Sequence, residues 1–458
     1  MLLVVLAVGA GGLMAVTFPK DLANYLAPTF ASITIFVLFS FVLRRQVGEN
    51  IFGELGFIYV GFTVAYTVIP AVGFMLVGLD DGGPLAQLLP ESGRLATHLW
   101  RQVLYEVGVA VGYLLLRGQL NSTNPVAGEA KDRDVRTLVF VAALLVVCVA
   151  SMDLMSAPVS SYYDHYVRYD HLPWLSHKLV SMATRLSLGL YCVLLTFMFR
   201  NYQRYKLLIP VVVAGICTHE ILYSFGARIQ ALIVLLQAIC LYHFTVRKIS
   251  LKAGFLACIA LTALFSAVEV VRVVSGDLDS ARSLVADQGF RPSSEFLAVF
   301  FSGFHLYSER AQGALPPREW PMFFSDVISL FTFGDFTRWN PMSWYASNYN
   351  PSVEVPPFTV GPIAESAIWG GEIDLVLRSL LNGLFFAYIM RWFLRRRQTW
   401  WALTIYVYCF ATCILTLKYS IFLHLSLVEK NVLPTLLLVQ SARVLTLRKL
   451  SSRAEARA

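Results

Sequence analysis

Seven ionisable residues of this chain lie inside hydrophobic stretches. They are Glu106, Arg185, His219, Glu220, Glu269, Arg272 and Arg378, and all fall in the half of their segment that faces away from the chain's basic clusters. Charges at bilayer depth are costly, and they usually pair across helices or line a polar cavity. Each could alone be a structural partner or a side chain reaching back to the interface. Gathered on one side, they imply a polar chamber open to that side. Arg228 adds a fourth guanidinium, in the tight turn Phe225-Gly226-Ala227-Arg228. A planar, permanently charged fork fits a phosphate there. A helix cap with an interfacial arginine fits the spacing equally well.

Two further constellations carry possible chemistry. Phe301 to Arg310 reads as a helix with one polar stripe, on which His305 and Glu309 share a face at i, i+4. That pair suits a general base and its orienting carboxylate, or a local salt bridge. Tyr163, Trp339 and Trp344 sit in polar, aromatic-rich surroundings that suit sugar rings, and an interfacial aromatic belt would look the same. Asp277-Leu278-Asp279 has the acid-x-acid form of a metal holder, but so short a match is also ordinary loop composition, and no metal is expected. No P-loop, dinucleotide glycine pattern, HExxH or GxSxG occurs in a credible setting, so a nucleotide-driven pump has no support.

The elements that must position these residues follow from composition. At 57% hydrophobic and 14% charged residues, with mean hydropathy +0.62, the chain belongs in a bilayer, where helices satisfy their own backbones. About twelve segments approach the roughly 20 apolar residues of a crossing helix. They lie near 1–18, 25–43, 57–78, 102–117, 137–155, 181–199, 207–224, 229–246, 253–271, 374–394, 400–417 and 430–447. Lys418, His424, Glu429 and Lys430 interrupt the last pair. Basic clusters recur at every second connection, which by the positive-inside rule puts them and both termini in the cytoplasm. That sorting also accounts for the net charge of +8 without nucleic acid. The seven Cys all fall in hydrophobic stretches as apolar fillers, with no disulfide framework. The expectation is an all-α polytopic membrane protein, one transmembrane domain over 1–458, with a large outward loop over 272–372 between the ninth and tenth spans.

Three features together resemble the Wzy-type O-antigen and repeat-unit polysaccharide polymerases of bacterial inner membranes. One is the span count with its large loop in the second half. Another is Gly226-Ala227-Arg228 between closely spaced spans. The third is Gly361-Pro362-Ile363-Ala364-Glu365-Ser366-Ala367-Ile368-Trp369-Gly370-Gly371 before the next span. Where many members carry Phe-Gly, this chain has Trp369-Gly370-Gly371. The resemblance covers most of the chain in architecture and about twenty residues in motif.

The resemblance implies a metal-independent, cofactor-free glycosyltransferase of GT-C-like fold, acting in lipopolysaccharide synthesis. It would transfer a growing glycan from undecaprenyl pyrophosphate to the terminal sugar of a new lipid-linked repeat unit on the periplasmic face. Arg228, Arg185 and Arg272 are then the pyrophosphate ligands. Glu365, His305 and Glu220 are the candidate bases, and Tyr163, Trp339 and Trp344 the sugar contacts. Undecaprenyl-pyrophosphate-linked oligosaccharides, the bilayer and a chain-length regulator are the implied partners. An O-antigen ligase uses a similar donor, and a lipid-linked oligosaccharide flippase is the alternative of a different class. A flippase would show inverted repeats and mid-membrane charges, neither of which the sequence displays.

Overall fold

A computed structural model describes residues 20–48, 51–77, 92–118, 132–155, 173–223, 228–250, 252–254, 294–318, 320–323, 341–349, 359–419 and 423–455. Among them every regular element is helical. In chain order the main helices are α1 (Lys20–Val47), α2 (Leu55–Val77), α3 (Ser92–Arg117), α4 (Asp132–Met155), α5 (Trp174–Arg200), α6 (Leu208–Tyr223) and α7 (Arg228–Thr245). Then come α8 (Ser294–Gln312), α9 (Pro341–Tyr349), α10 (Pro362–Ile368), α11 (Glu372–Arg396), α12 (Trp400–Thr412), α13 (Leu415–Lys418) and α14 (Leu433–Glu455). Six of these (α1 to α5 and α11) contain stretches long and apolar enough to cross a membrane, and α6, α7 and α12 are shorter apolar helices. The chain is a helical, multi-pass membrane protein. The expected span 1–18 and residues 255–271 lie outside the described residues.

The chain divides into two compact units. The first comprises Met1–Ser122, Arg282–Leu394 and Cys413–His424. Its apolar core joins four helices through Tyr25, Ala71, Leu95, Leu99, Phe300, Phe301 and Phe304. Glycines let α3 and α11 approach backbone to backbone. A Cβ on Gly112 would stand 2.4 Å from the Leu380 carbonyl oxygen, and one on Gly383 2.2 Å from that of Val109. Gly108 and Gly112 thus form the small-xxx-small stripe that membrane helices use for close packing.

Several buried polar side chains of this unit pair with one another, as a lipid setting favours. Arg117 holds Glu54 through two hydrogen bonds of 2.6 Å, both side chains fully buried. Ser32 and Thr67 donate to Glu106 at 2.9 and 2.5 Å. The Tyr59 and Tyr105 hydroxyls meet at 2.8 Å, with Asn382 donating to both.

The second unit comprises Thr123–Ala281, Arg395–Thr412 and Leu425–Ala458. Here α4 packs along α5, and α7 packs on α6 and α12. Asn431 donates to the Tyr408 hydroxyl at 2.6 Å, and its backbone carbonyl lies against Gly189 of α5. Asn431 sits in a single π turn, Val428–Val432. α12 ends at Thr412, before Lys418, while Glu429 and Lys430 lie within the π turn that runs on into α14.

The described part of the 272–372 segment is helical and belongs to the first unit, where α8 packs on α2, α3 and α10. It builds the cluster of Leu306, Tyr307, Tyr345, Ala364, Ala367 and Ile368.

Candidate functional site

The site forms where the short helix α10 turns back into α11. Gly361 precedes α10 in an extended conformation, with Pro362 at the first helical position, where its fixed φ and missing N–H are harmless. Glycine is needed there because a Cβ would stand 2.0 Å from the Leu417 carbonyl oxygen. Seven residues on, the helix ends at Ile368. The Gly371 N–H donates to the Ser366 carbonyl at 2.7 Å, and Gly371 takes the left-handed φ of +67°. That closure is a glycine C-cap, and α11 begins at once with Glu372 and Asp374 in its first turn.

This fold-back sets Glu365 against α11. Arg378 donates through Nη1 to the Glu365 carboxylate and through Nε to Asp374 Oδ2 at 2.7 Å. Glu365 and Arg378 are 4% and 8% exposed, so their charges answer each other out of water.

Three more arginines ring the same turn. Arg310 donates to the Ala367 and Trp369 carbonyls at 2.9 and 3.2 Å, and Arg318 donates to the Ile368 carbonyl. These are the carbonyls a helix end leaves without partners. Arg310 and Arg318 form no ion pair among the described residues, and each brings a positive charge to this helix end. Arg101 lies over the Tyr307 ring at 4.0 Å and holds Glu372 at 2.9 Å. Trp369 stacks on Trp320 with ring centroids 5.8 Å apart.

The aromatic flank is carried by α8 and α9. The Tyr307 hydroxyl meets Ser366 at 2.8 Å, and burial pushes its phenol up to about 12. Two residues earlier, His305 Nδ1 lies 2.8 Å from the Tyr345 hydroxyl, and Nε2 lies 3.8 Å from Glu309. Burial lowers the His305 pKa from its ordinary value, against the pull of Glu309, so the ring is neutral at pH 7. Burial raises Tyr345, which stays protonated and hydrogen-bonds the His305 ring.

A small cavity of about 20 Å³, room for about one water, opens beside the start of α10, bounded by Tyr66, Gln102, Tyr105, Pro362, Ile363 and Leu417 among others. Gln102 is 3% exposed, and its side-chain oxygen has no hydrogen-bond partner among the described residues.

Of the candidates expected from sequence, Glu365, His305 and Trp344 fall in this unit. Trp344 packs on the apolar cluster and donates its indole N–H to the Pro317 carbonyl at 2.9 Å. Glu220 and Arg185 belong to the second unit. There Glu220 is 5% exposed with its Oε1 3.6 Å from His219 Nδ1, while His219 Nε2 lies 3.5 Å from Asp153. Arg185 is partly exposed on α5. Arg228 is the first residue of α7, and the preceding residues 224–227 lie outside the described residues. Arg272, Tyr163 and Trp339, with Asp277 and Asp279, lie outside the described residues.

Sequence reasoning marked Arg378 as an intramembrane charge but did not join it to Glu365. It passed over Arg101, Arg318, Asp374 and Gln102. The i, i+4 spacing of Asp374 and Arg378, just past Gly370-Gly371, was the available signal. Comparisons with protein-family models, curated proteins and solved structures each returned no match.

Proposed function

We propose that the protein is a polysaccharide polymerase of the Wzy type, with about twelve spans and a GT-C-like architecture. It works on the periplasmic face of a bacterial inner membrane, with both termini in the cytoplasm. It moves a growing glycan from undecaprenyl pyrophosphate onto the terminal sugar of a new lipid-linked repeat unit. The observation that carries this reading is the arginine ring around the α10–α11 turn, in which Arg310 and Arg318 hold neutral helix-end carbonyls.

In the reaction the anomeric carbon–oxygen bond to the pyrophosphate breaks, and the acceptor hydroxyl oxygen bonds to that carbon. The acceptor's proton passes to a base, and the leaving diphosphate keeps the electron pair. The transition state is oxocarbenium-like, so the largest demand is stabilisation of the departing anion. Arg310 and Arg318 meet that demand, fixed in direction by the helix end they cap. Guanidinium charge supplies what the diphosphate needs, so this reading calls for no metal. The alternative diphosphate ligands are those the resemblance implied, Arg228, Arg185 and Arg272.

Glu365 is held by Arg378, and a carboxylate in a buried ion pair is a weak base. Its proposed role is to fix Arg378 and the turn. The neutral His305, oriented by Tyr345 and faced by Glu309, is the better proton acceptor of the two.

The test is substitution of Arg310 and Arg318 by alanine in a strain deleted for the native copy, followed by gel analysis of the surface glycan. Loss of polymerisation leaves single repeat units attached to the core lipid. No attached glycan would point to a ligase, and units retained inside the cell to a flippase. Unchanged ladders would overturn the proposal.

A further inference from the structure

Three helices of the second unit meet around one arginine. The Arg443 guanidinium of α14 lies over two rings at once, 5.3 Å from the Phe197 centroid on α5 and 5.4 Å from the Trp400 centroid at the start of α12. The two rings are themselves 5.2 Å apart. Such contacts engage the face of a guanidinium, and its N–H donors lie in the plane at its edge. Arg200 follows Phe197 at i+3 and is its neighbour on the α5 surface. The Arg200 Nε–H is buried and has no hydrogen-bond partner among the described residues. Arg395, Arg396 and Arg397 run directly into α12.

Charge is one-sided here. The stretches 197–200, 395–400 and 437–444 together hold five arginines and no Asp or Glu. Like charges crowded at helix ends repel, and an anion among them relieves the repulsion while giving the Arg200 N–H an acceptor. The positive-inside rule accounts for basic residues at this end of the spans, but those need only reach back to water. It does not account for a guanidinium held on two rings where three helices join.

The surroundings narrow the anion. Arg200 closes a stretch long and apolar enough to cross a membrane, which puts it at the level of lipid headgroups. On α14, Leu433, Leu437 and Val444 are exposed at i, i+4 and i+11, an apolar stripe alongside Arg443. A phosphodiester carrying acyl chains meets both the charge and the stripe, and free phosphate meets only the charge. A headgroup with its own cation is unwelcome among five arginines.

We propose that Arg443, Arg200, Phe197 and Trp400 form a site for the phosphodiester of an anionic phospholipid, whose acyl chains lie along the Leu433, Leu437 and Val444 stripe. The site stands apart from the polymerase reading and does not depend on it.

Full-length protein in detergent, titrated with phosphatidylglycerol or phosphatidylcholine of the same acyl chains and read by native mass spectrometry, tests the site. Phosphatidylglycerol is expected to be retained several-fold better. Arg200→Gln and Arg443→Gln should each weaken its retention about fivefold, the worth of one basic residue against an anionic lipid. Arg136→Gln, exposed in another basic cluster of the same unit, should leave retention unchanged. Thermal unfolding shows whether each variant keeps its fold, and if Arg443→Gln does not, Arg200→Gln decides. Equal retention of the two lipids, an equal loss in Arg136→Gln, or unaltered retention in Arg200→Gln overturns the site. Displacement of the lipid by millimolar inorganic phosphate also overturns it, by showing that the acyl chains add nothing.

Discussion

Glu365 and Arg378 meet across the α10–α11 turn, thirteen positions apart in sequence, with Asp374 holding the guanidinium Nε at 2.7 Å. A seven-residue helix has too few internal hydrogen bonds to hold itself. What keeps α10 in place is this ion pair at one side, Arg310 and Arg318 on its last carbonyls, and apolar packing beneath.

Removing either member of the pair should therefore be severe. A buried charge without its partner costs on the order of 3–5 kcal/mol. Arg378→Ala and Glu365→Ala are each expected to lower thermal stability in detergent and to lose the glycan ladder. The double substitution Glu365→Ala/Arg378→Ala should destabilise less than the sum of the two, because it leaves neither charge stranded. Additive losses would show that the two residues act separately.

Gly361 and Gly371 are both required, for different reasons. Alanine at 361 drives a Cβ into the Leu417 backbone at 2.0 Å, which no side-chain movement relieves. Alanine at 371 fits the space better but must adopt φ +67°, at about 1–2 kcal/mol. Gly361→Ala should abolish polymerisation at normal membrane levels. Gly371→Ala should only reduce it, and Gly371→Asn, which tolerates that conformation better, should reduce it less. Quantified ladders against immunoblotted protein decide the order, and a harsher effect at 371 would refute it.

Much of this was legible in the sequence. The Gly361 to Gly371 run stood out through its resemblance to a family segment, and Phe301 to Arg310 read as a helix because its polar residues recur at helical spacing. The positions of six spans among the described residues followed from hydropathy, since lipid leaves the backbone few choices. The partner of Glu365 did not follow. The fold-back at Gly371 brings position 378 to position 365, and nothing local encodes which distant arginine fills a given gap. Arg318 was missed for a related reason. It sits in a Pro-Pro-Arg-Glu stretch that looks like ordinary loop, and its role depends on helix-end carbonyls fifty residues away. The cavity at Gln102 was hidden too, because a glutamine in a span reads as a neutral exception until its neighbours are known.

The reading assigns diphosphate stabilisation to arginine, which gives a simple expectation for metals. Chelation with EDTA should leave polymerisation by purified protein within about twofold of the untreated rate, a change worth under 1 kcal/mol in barrier height. Asp277→Asn and Asp279→Asn should be similarly mild. A loss restored by added magnesium or manganese would replace arginine with a metal as the main diphosphate ligand.

His305 sets the acid limit of activity. As base it must be neutral, and burial puts its pKa below the ordinary value near 6.5. The active fraction therefore stays level as pH falls from 8 to 6.5 and declines only below that, as the folded protein at last takes up the proton. Stability moves with the same sign: the unfolded chain protonates first, so folding weakens as pH drops through 6.5 toward the folded value. The proposed site faces the periplasm, whose pH follows the medium, so cells grown between pH 5 and 8 report it directly. His305→Gln should lose at least about a hundredfold in rate, within the usual share of general-base catalysis, together with the acid limb. Tyr345→Phe removes the hydroxyl that orients the ring and should cost about fivefold, with the limb kept. If the acid limb persists unchanged in His305→Gln with activity intact, the proton goes elsewhere, and Glu220 becomes the next residue to substitute.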